Sequence, residues 1–136
     1  MCYTYFMETQ ILPPDILRAT CGSRSVLDLI ADKWTVLVLC ALGKERVRFS
    51  ELGRRVQGIS QKMLTHTVRV MERNGLVERT VLASVPPHVD YALTPLGRTL
   101  ADSVECLRRW AETNMAAVEA AQAAYDLRTT AEPAVR

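Results

Sequence analysis

The chain has 136 residues, 49% of them apolar and 24% charged, with a formal charge of +2. One domain is the natural reading of that length, and the composition excludes a disordered chain. The charge is uneven: residues 1–20 sum to −1, residues 21–82 to +5 and residues 83–136 to −2, which places a candidate nucleic-acid face in the middle.

Residues 1–20 read as an arm, with no hydrophobic period through MCYTYFMETQILPP and a helical turn suggested only around 15–19. From Cys21 the pattern sharpens. Val26, Leu27 and Ile30 recur at helical spacing in a first helix, Ser23–Ile30. Asp32 is placed to cap a second helix, Lys33–Leu42, closed by Gly43. It reads WTVLVLCAL, apolar nearly all round, which predicts a position in the middle of the core, with Trp34 and Cys40 as core residues. Residues 46–49 suggest a brief strand, and Ser50 a cap for a short helix over 51–56. After a turn at Gln57-Gly58, Ser60 caps a helix that runs to about Asn74-Gly75, with Ile59 and Leu64 spaced as a hydrophobic staple. Residues 76–82 alternate and are β-branched, Pro86-Pro87 interrupt, and 89–93 return, which predicts a hairpin. Thr94 then caps a long helix with Pro95 at its first position. Its apolar seam is Leu96, Leu100, Val104, Leu107, Ala111, Met115 and Val118, in steps of three and four. The expected division is an arm over 1–20, a DNA-binding domain over 21–94, a dimerisation helix over 95–128 and a tail over 129–136.

A short helix, a glycine-containing turn and a second helix form a helix-turn-helix unit, and the hairpin that follows supplies a wing. On the helix after Ser60, Leu64, Val68 and Met71 share one stripe and must pack inward. Gln61, Lys62, Thr65, His66 and Arg69 share the other, and these side-chain types read base edges and hold phosphates. A polar helix face is more often merely solvated; here the complete order of elements favours DNA. Arg54 and Arg55 are candidate phosphate contacts from the first helix of the unit, one of them more simply solvated. Met63 is read as packing. His66 and His88 lack a third ligand at zinc spacing, so neither a metal nor a cofactor is expected.

VLDLIADKWTVLVLCAL, RFSELGRRVQGISQKMLTHTVRVMERNGLVERTV, VPPHVDYALTPLGRTL and LRRWAE resemble the HxlR-type helix-turn-helix transcriptional regulators, within the MarR-like winged-helix superfamily. DKWT, RFSEL, GISQKMLT, ERNGLV and YALTPLG stand in the family's order and spacing over about two-thirds of the chain. The resemblance implies a mainly α winged-helix fold with a small β-hairpin wing. It also implies a homodimer built on terminal helices and binding to operator DNA; the seam from Leu96 to Val118, too long for one small winged helix to bury, predicts a two-fold dimer and hence a near-palindromic site. The Gln61–Thr65 segment corresponds to the recognition helix, Arg48 and Phe49 to the entry of the unit's first helix, and Pro86-Pro87 to the wing. This sequence departs in having Gly22 after Cys21, where proline is usual, and His88 after the double proline, where Arg or Lys is common.

The expected DNA-binding set is therefore Ser60, Gln61, Lys62, Thr65, His66, Arg69, Arg48, Arg54, Arg55 and His88. The expected dimer set is Leu96, Leu100, Val104, Leu107, Trp110, Met115 and Val118. Four scattered cysteines, without a CxxC pair, suggest a reducing, cytoplasmic home. The first charge, Glu8, is acidic, so a secretory leader is not expected, and no apolar run suits a membrane span. Cys21 precedes a helix, with Arg24 one turn on, which favours a thiolate. The resemblance adds that several family members sense oxidants or electrophiles at this position. Cys40 is expected to be inaccessible, and Cys106 of a second subunit is the favoured partner for Cys21. Two readings compete with a DNA-binding regulator. One is an enzyme, for which no catalytic motif is present; the other is a winged-helix interaction module without specific DNA binding.

Overall fold

The computed structural model describes residues 13–131; the first part of the arm, with Cys2, and the end of the tail lie outside it. The elements follow the order α1 (Ser23–Ile30), α2 (Lys33–Leu42), β1 (Val47–Arg48), α3 (Phe49–Arg55), α4 (Gln61–Arg73), β2 (Val77–Leu82), β3 (His88–Leu93) and α5 (Pro95–Ala131). This is a winged helix.

Local chemistry sets most boundaries. Asp32 Oδ2 accepts from both the amide and the hydroxyl of Thr35 at 3.0 Å, which satisfies an otherwise orphan donor at the start of α2. Ser60 Oγ accepts from the Met63 amide at 3.0 Å and starts α4 in the same way. At the other end of α4, Gly75 takes φ +76°. The amides of Gly75 and Leu76 then turn back onto the carbonyls of Glu72 and Met71, at 3.0 and 2.9 Å. Thr94 Oγ1 accepts from the Gly97 amide at 3.0 Å at the head of α5 and donates to the Gly75 carbonyl. One residue thus joins the end of α4 to the start of α5.

The three strands are antiparallel in the order β1-β3-β2. Val47 and Arg48 lie opposite Tyr91 and Asp90, while β2 pairs with β3 from Val77 opposite Leu93 to Leu82 opposite His88. Val38, Leu39 and Leu42 of α2 form the centre of the core with Leu52 of α3 and Leu64, Val68 and Met71 of α4; Leu93 and Val104 close it. Each such side chain contributes about 1.5–3 kcal/mol by leaving water. Gly97 packs so closely that a Cβ there would lie 2.0 Å from the Leu76 carbonyl oxygen.

Several expectations change. The helix α3 starts at Phe49, with Arg48 as its cap residue and no side-chain cap bond, so Ser50 lies inside it. The predicted core position of Cys40 does not hold: Cys40 is exposed and Trp34 only half-buried. The helix α2 buries Thr35, Val38, Leu39 and Leu42, while Leu37 and Cys40 stay exposed among the described residues. The long helix continues through Thr129 to Ala131, past the expected boundary at 128. Among the described residues no helix is long and apolar enough to cross a membrane.

Candidate nucleic-acid interface

The helix α4 divides as its sequence period requires. Leu64, Thr67, Val68 and Met71 are buried, so the opposite stripe is held outward by the core. Gln61, Lys62, Thr65, His66 and Arg69 line one continuous open face. Gln61, Lys62, His66 and Arg69 are exposed, and Thr65 is half-buried, donating its hydroxyl to the Gln61 carbonyl at 2.9 Å. Ser60 is exposed but uses its oxygen as the helix cap.

Between α4 and the sheet runs a groove of about 680 Å³. Arg48, Arg69, Arg79 and His88 line it over a floor that includes Phe49 and Tyr91, and Glu72 is its one acid. Burial raises the Tyr91 phenol above its ordinary range, against the opposing pull of Arg79 and Arg69. Arg79 was not among the sequence candidates. It stands in phase with Val77 and Val81 on β2, opposite Tyr91, and therefore on the face turned toward α4. A basic residue in phase with apolar neighbours is the signal that would have found it. Arg79 Nε lies 3.6 Å from Glu72.

The two arginines of α3 separate. Arg55 donates to the Ala41 carbonyl at 3.0 Å, to Glu51 at 3.3 Å and to Glu45 at 2.6 Å. Its guanidinium is committed to holding α3 on α2 and is not a free phosphate contact. Among the described residues Arg54 pairs only with Glu51, at 3.0 Å, and it is 69% exposed, so it keeps donors for an anion. These hydrogen bonds, Arg54 first, hold the Glu51 carboxyl below its usual range.

In the expected dimer set, Leu96, Leu107, Trp110, Met115 and Val118 are exposed, by 40 to 64%. Val104 is a correction. At 2% exposure it belongs to its own chain's core, with Leu100 packed beside it, so neither offers itself to a partner. The first turns of α5 are occupied in covering α2, and the free seam begins beyond them. One turn beyond Val104, Arg108 bridges Glu105 and Glu112, beside Cys40 of α2. The bond to Arg108 carries the Glu105 carboxyl down to about 2.

Cys21 is half-buried, and its thiol is lowered from 9.0 to about 7. The chief cause is Ser23, whose hydroxyl lies 2.9 Å from the sulfur; the Asp15 amide donates at 3.2 Å, and Arg18 adds a smaller attraction. Arg24, expected to help, is instead bonded to the Ile16 and Leu17 carbonyls at 3.0 and 3.1 Å. Cys106 is exposed. The Cys40 thiol, although its residue is exposed, is pushed up by partial burial against α5.

Comparison with known proteins agrees with this geometry. A family model described as HxlR-like helix-turn-helix matches residues 29–119. The HTH-type transcriptional regulator YtfH of Escherichia coli (strain K12) is 38% identical over 109 residues, covering 80% of this chain and 86% of that protein. The solved structure of a transcriptional regulator ytfH from Salmonella typhimurium superposes with a TM-score of 0.75 at 39% identity, covering 81% of this chain and 98% of that one. The reduced form of the redox regulator HypR superposes with a TM-score of 0.66 at 37% identity, covering 72% and 97%.

Proposed function

The chain belongs to the HxlR-like helix-turn-helix family, and from that premise we propose how it works as a DNA-binding transcriptional regulator. The observation that carries the reading is the outward stripe of α4, where amide, hydroxyl and cationic groups stand together beside a basic groove and a wing. Gln61 and Arg69 read base edges in the major groove, glutamine suiting adenine and arginine guanine. Lys62, Arg54 and Arg48 hold phosphates, and Thr65 and His66 complete the contact face. The wing lies along the flanking backbone.

The regulator acts as a homodimer through the distal part of α5. Leu107, Trp110, Met115 and Val118 leave an apolar seam that the described residues do not cover, and a two-fold copy covers it best. Two recognition helices then stand about 34 Å apart on a near-palindromic site. Such a protein works where the DNA is, in the cytoplasm.

The same reading gives Cys21 a regulatory role. A thiol lowered to about 7 is partly thiolate at neutral pH and reacts with mild oxidants. The redox regulator HypR is among the structures this chain resembles. Sulfenic acid formed at Cys21 condenses with the Cys106 thiol of the other subunit, releasing water and turning the two helix pairs as rigid bodies. Genome-wide footprinting of the full chain, with and without a mild oxidant, tests the whole reading. A palindromic footprint that oxidant removes is expected. No specific binding at about 100 mM salt overturns the DNA-binding reading in favour of an interaction module. Oxidant loss that persists in C21S overturns the sensor, and an absent non-reducing cross-link overturns its partner.

A further inference from the structure

We propose that His88 does not itself hold DNA but positions the guanidinium of Arg48 for a backbone phosphate, with Ser84 fixing the ring and Asp90 as the competitor the ring defeats. The inference rests on the DNA-binding reading above and names a working part of the same interface.

The protons can be assigned from the partners. Ser84 Oγ lies 2.8 Å from the Pro86 carbonyl, which only accepts, so the hydroxyl proton points there. That oxygen then accepts from His88 Nδ1 at 2.9 Å, which places the ring proton on Nδ1. Arg48 Nη2 lies 3.0 Å from His88 Nε2, and a guanidinium only donates, so Nε2 offers its lone pair. The neutral Nδ1–H tautomer satisfies all three bonds. Both ring nitrogens are used inside the protein, and none is left for a phosphate.

Arg48 is exposed, and no carboxylate lies within ion-pair distance of it among the described residues. It keeps unused donors, and it lines the groove beside α4 that Arg69 also lines. Yet Asp90 stands directly across the strand pair from it, on the same face of the sheet. Asp90 Oδ1 is buried with no hydrogen-bond partner among the described residues. A buried carboxylate oxygen without a donor is an acceptor in want of a cation. The His88 ring, two residues along the same face of β3, draws the guanidinium toward the wing and away from that oxygen. Without the ring, Arg48 turns to Asp90 and its charge is cancelled inside the protein. A wing with no cation of its own after the double proline thereby acquires one from β1.

The test is the salt dependence of binding, because removing a neutral ring removes no charge. Fluorescence anisotropy on a duplex from upstream of the protein's own gene, and on a random duplex of equal length, gives the slope of log K against log salt. R48A should lower the slope by about one. H88A should lower it by the same amount, and R48A/H88A no further. The two single variants then lose about three- to fourfold less affinity than wild type between about 50 and 200 mM salt. D90N placed in H88A should restore the slope. An H88A slope equal to wild type, or losses that add in the double variant, overturns the proposal. Nitrogen-15 NMR of wild-type His88 checks it without any variant: an Nε2–H tautomer also overturns it. Wild-type protein that binds neither duplex brings down the DNA-binding reading, and this inference with it; a normal wild-type slope with an unmoved H88A slope brings down this inference alone.

Discussion

The exposed faces of α4 and α5 differ in kind. In α4 the 13 residues bury four and turn amide, hydroxyl and cationic groups outward. In α5 the 37 residues bury two, Gly97 and Val104, and beyond them present Leu107, Trp110, Met115 and Val118 to water. A polar stripe in water costs little and waits for a polyanion. An apolar stripe in water is unfavourable in proportion to its area and calls for a second apolar surface. The same 3.6-residue period thus writes two different kinds of surface into one chain.

The largest effect should come from charging the apolar face. Leu107→Glu with Trp110→Glu should halve the mass seen by light scattering. It should also weaken operator binding about 100-fold or more, through loss of two-site attachment. An unchanged dimer mass would assign the seam to something other than a second copy. Next comes the joint at which α5 passes from packed to free. Gly97→Ala forces its Cβ against the Leu76 carbonyl and should cost about 3 kcal/mol in denaturant unfolding. Ala117→Gly, on the free part of the helix, should cost about 1 kcal/mol or less.

Smaller changes sharpen the polar side of the comparison. Arg69→Ala should lose about 1–3 kcal/mol on the operator and relax preference at one base pair. Lys62→Ala should weaken all sequences alike and lower the salt slope by about one. Equal losses for Arg69→Ala on specific and random DNA would move that residue to the phosphate class. Smallest is the titration of Cys21. With its thiol at about 7, the rate of iodoacetamide labelling should rise through about pH 7 and then level, well below the range of an ordinary thiol. Ser23→Ala should move that rise upward. The sign for stability follows: a folded value below the unfolded one stabilises fully above the unfolded thiol's range, and the contribution is lost as pH falls through about 7.

The caps were legible because each is a local event. Asp32, Ser60 and Thr94 bond to amides three residues on, and Gly75 completes the stop of α4. The polar stripe of α4 was legible for the same reason, since period and burial agree on it. What sequence could not show depends on neighbours from afar. Cys40 sits in an apolar run, yet it is exposed at the edge of the α2–α5 contact, beside Glu105, rather than within the core. Val104 continues the seam of Leu107, yet is buried because the helix begins against α2. Arg55 looks like Arg54, but the Ala41 carbonyl and Glu45 claim it. Arg79 enters the groove only because β2 pairs with β3 in the register that sets it opposite Tyr91.

The Thr94 joint has a mechanical consequence. Its hydroxyl spans the Gly75 carbonyl and the Gly97 amide, and Gly97 rests on the Leu76 backbone. The hairpin separates α4 from α5 in sequence, but in space these bonds tie the end of one directly to the head of the other. A 37-residue helix is about 55 Å long, so α5 is a long lever with its fulcrum at the end of α4. In the proposed dimer, a modest change of crossing angle where two such levers meet would be carried to the two α4 helices. Changing the distance between them by a few ångströms is enough to set them out of step with successive grooves.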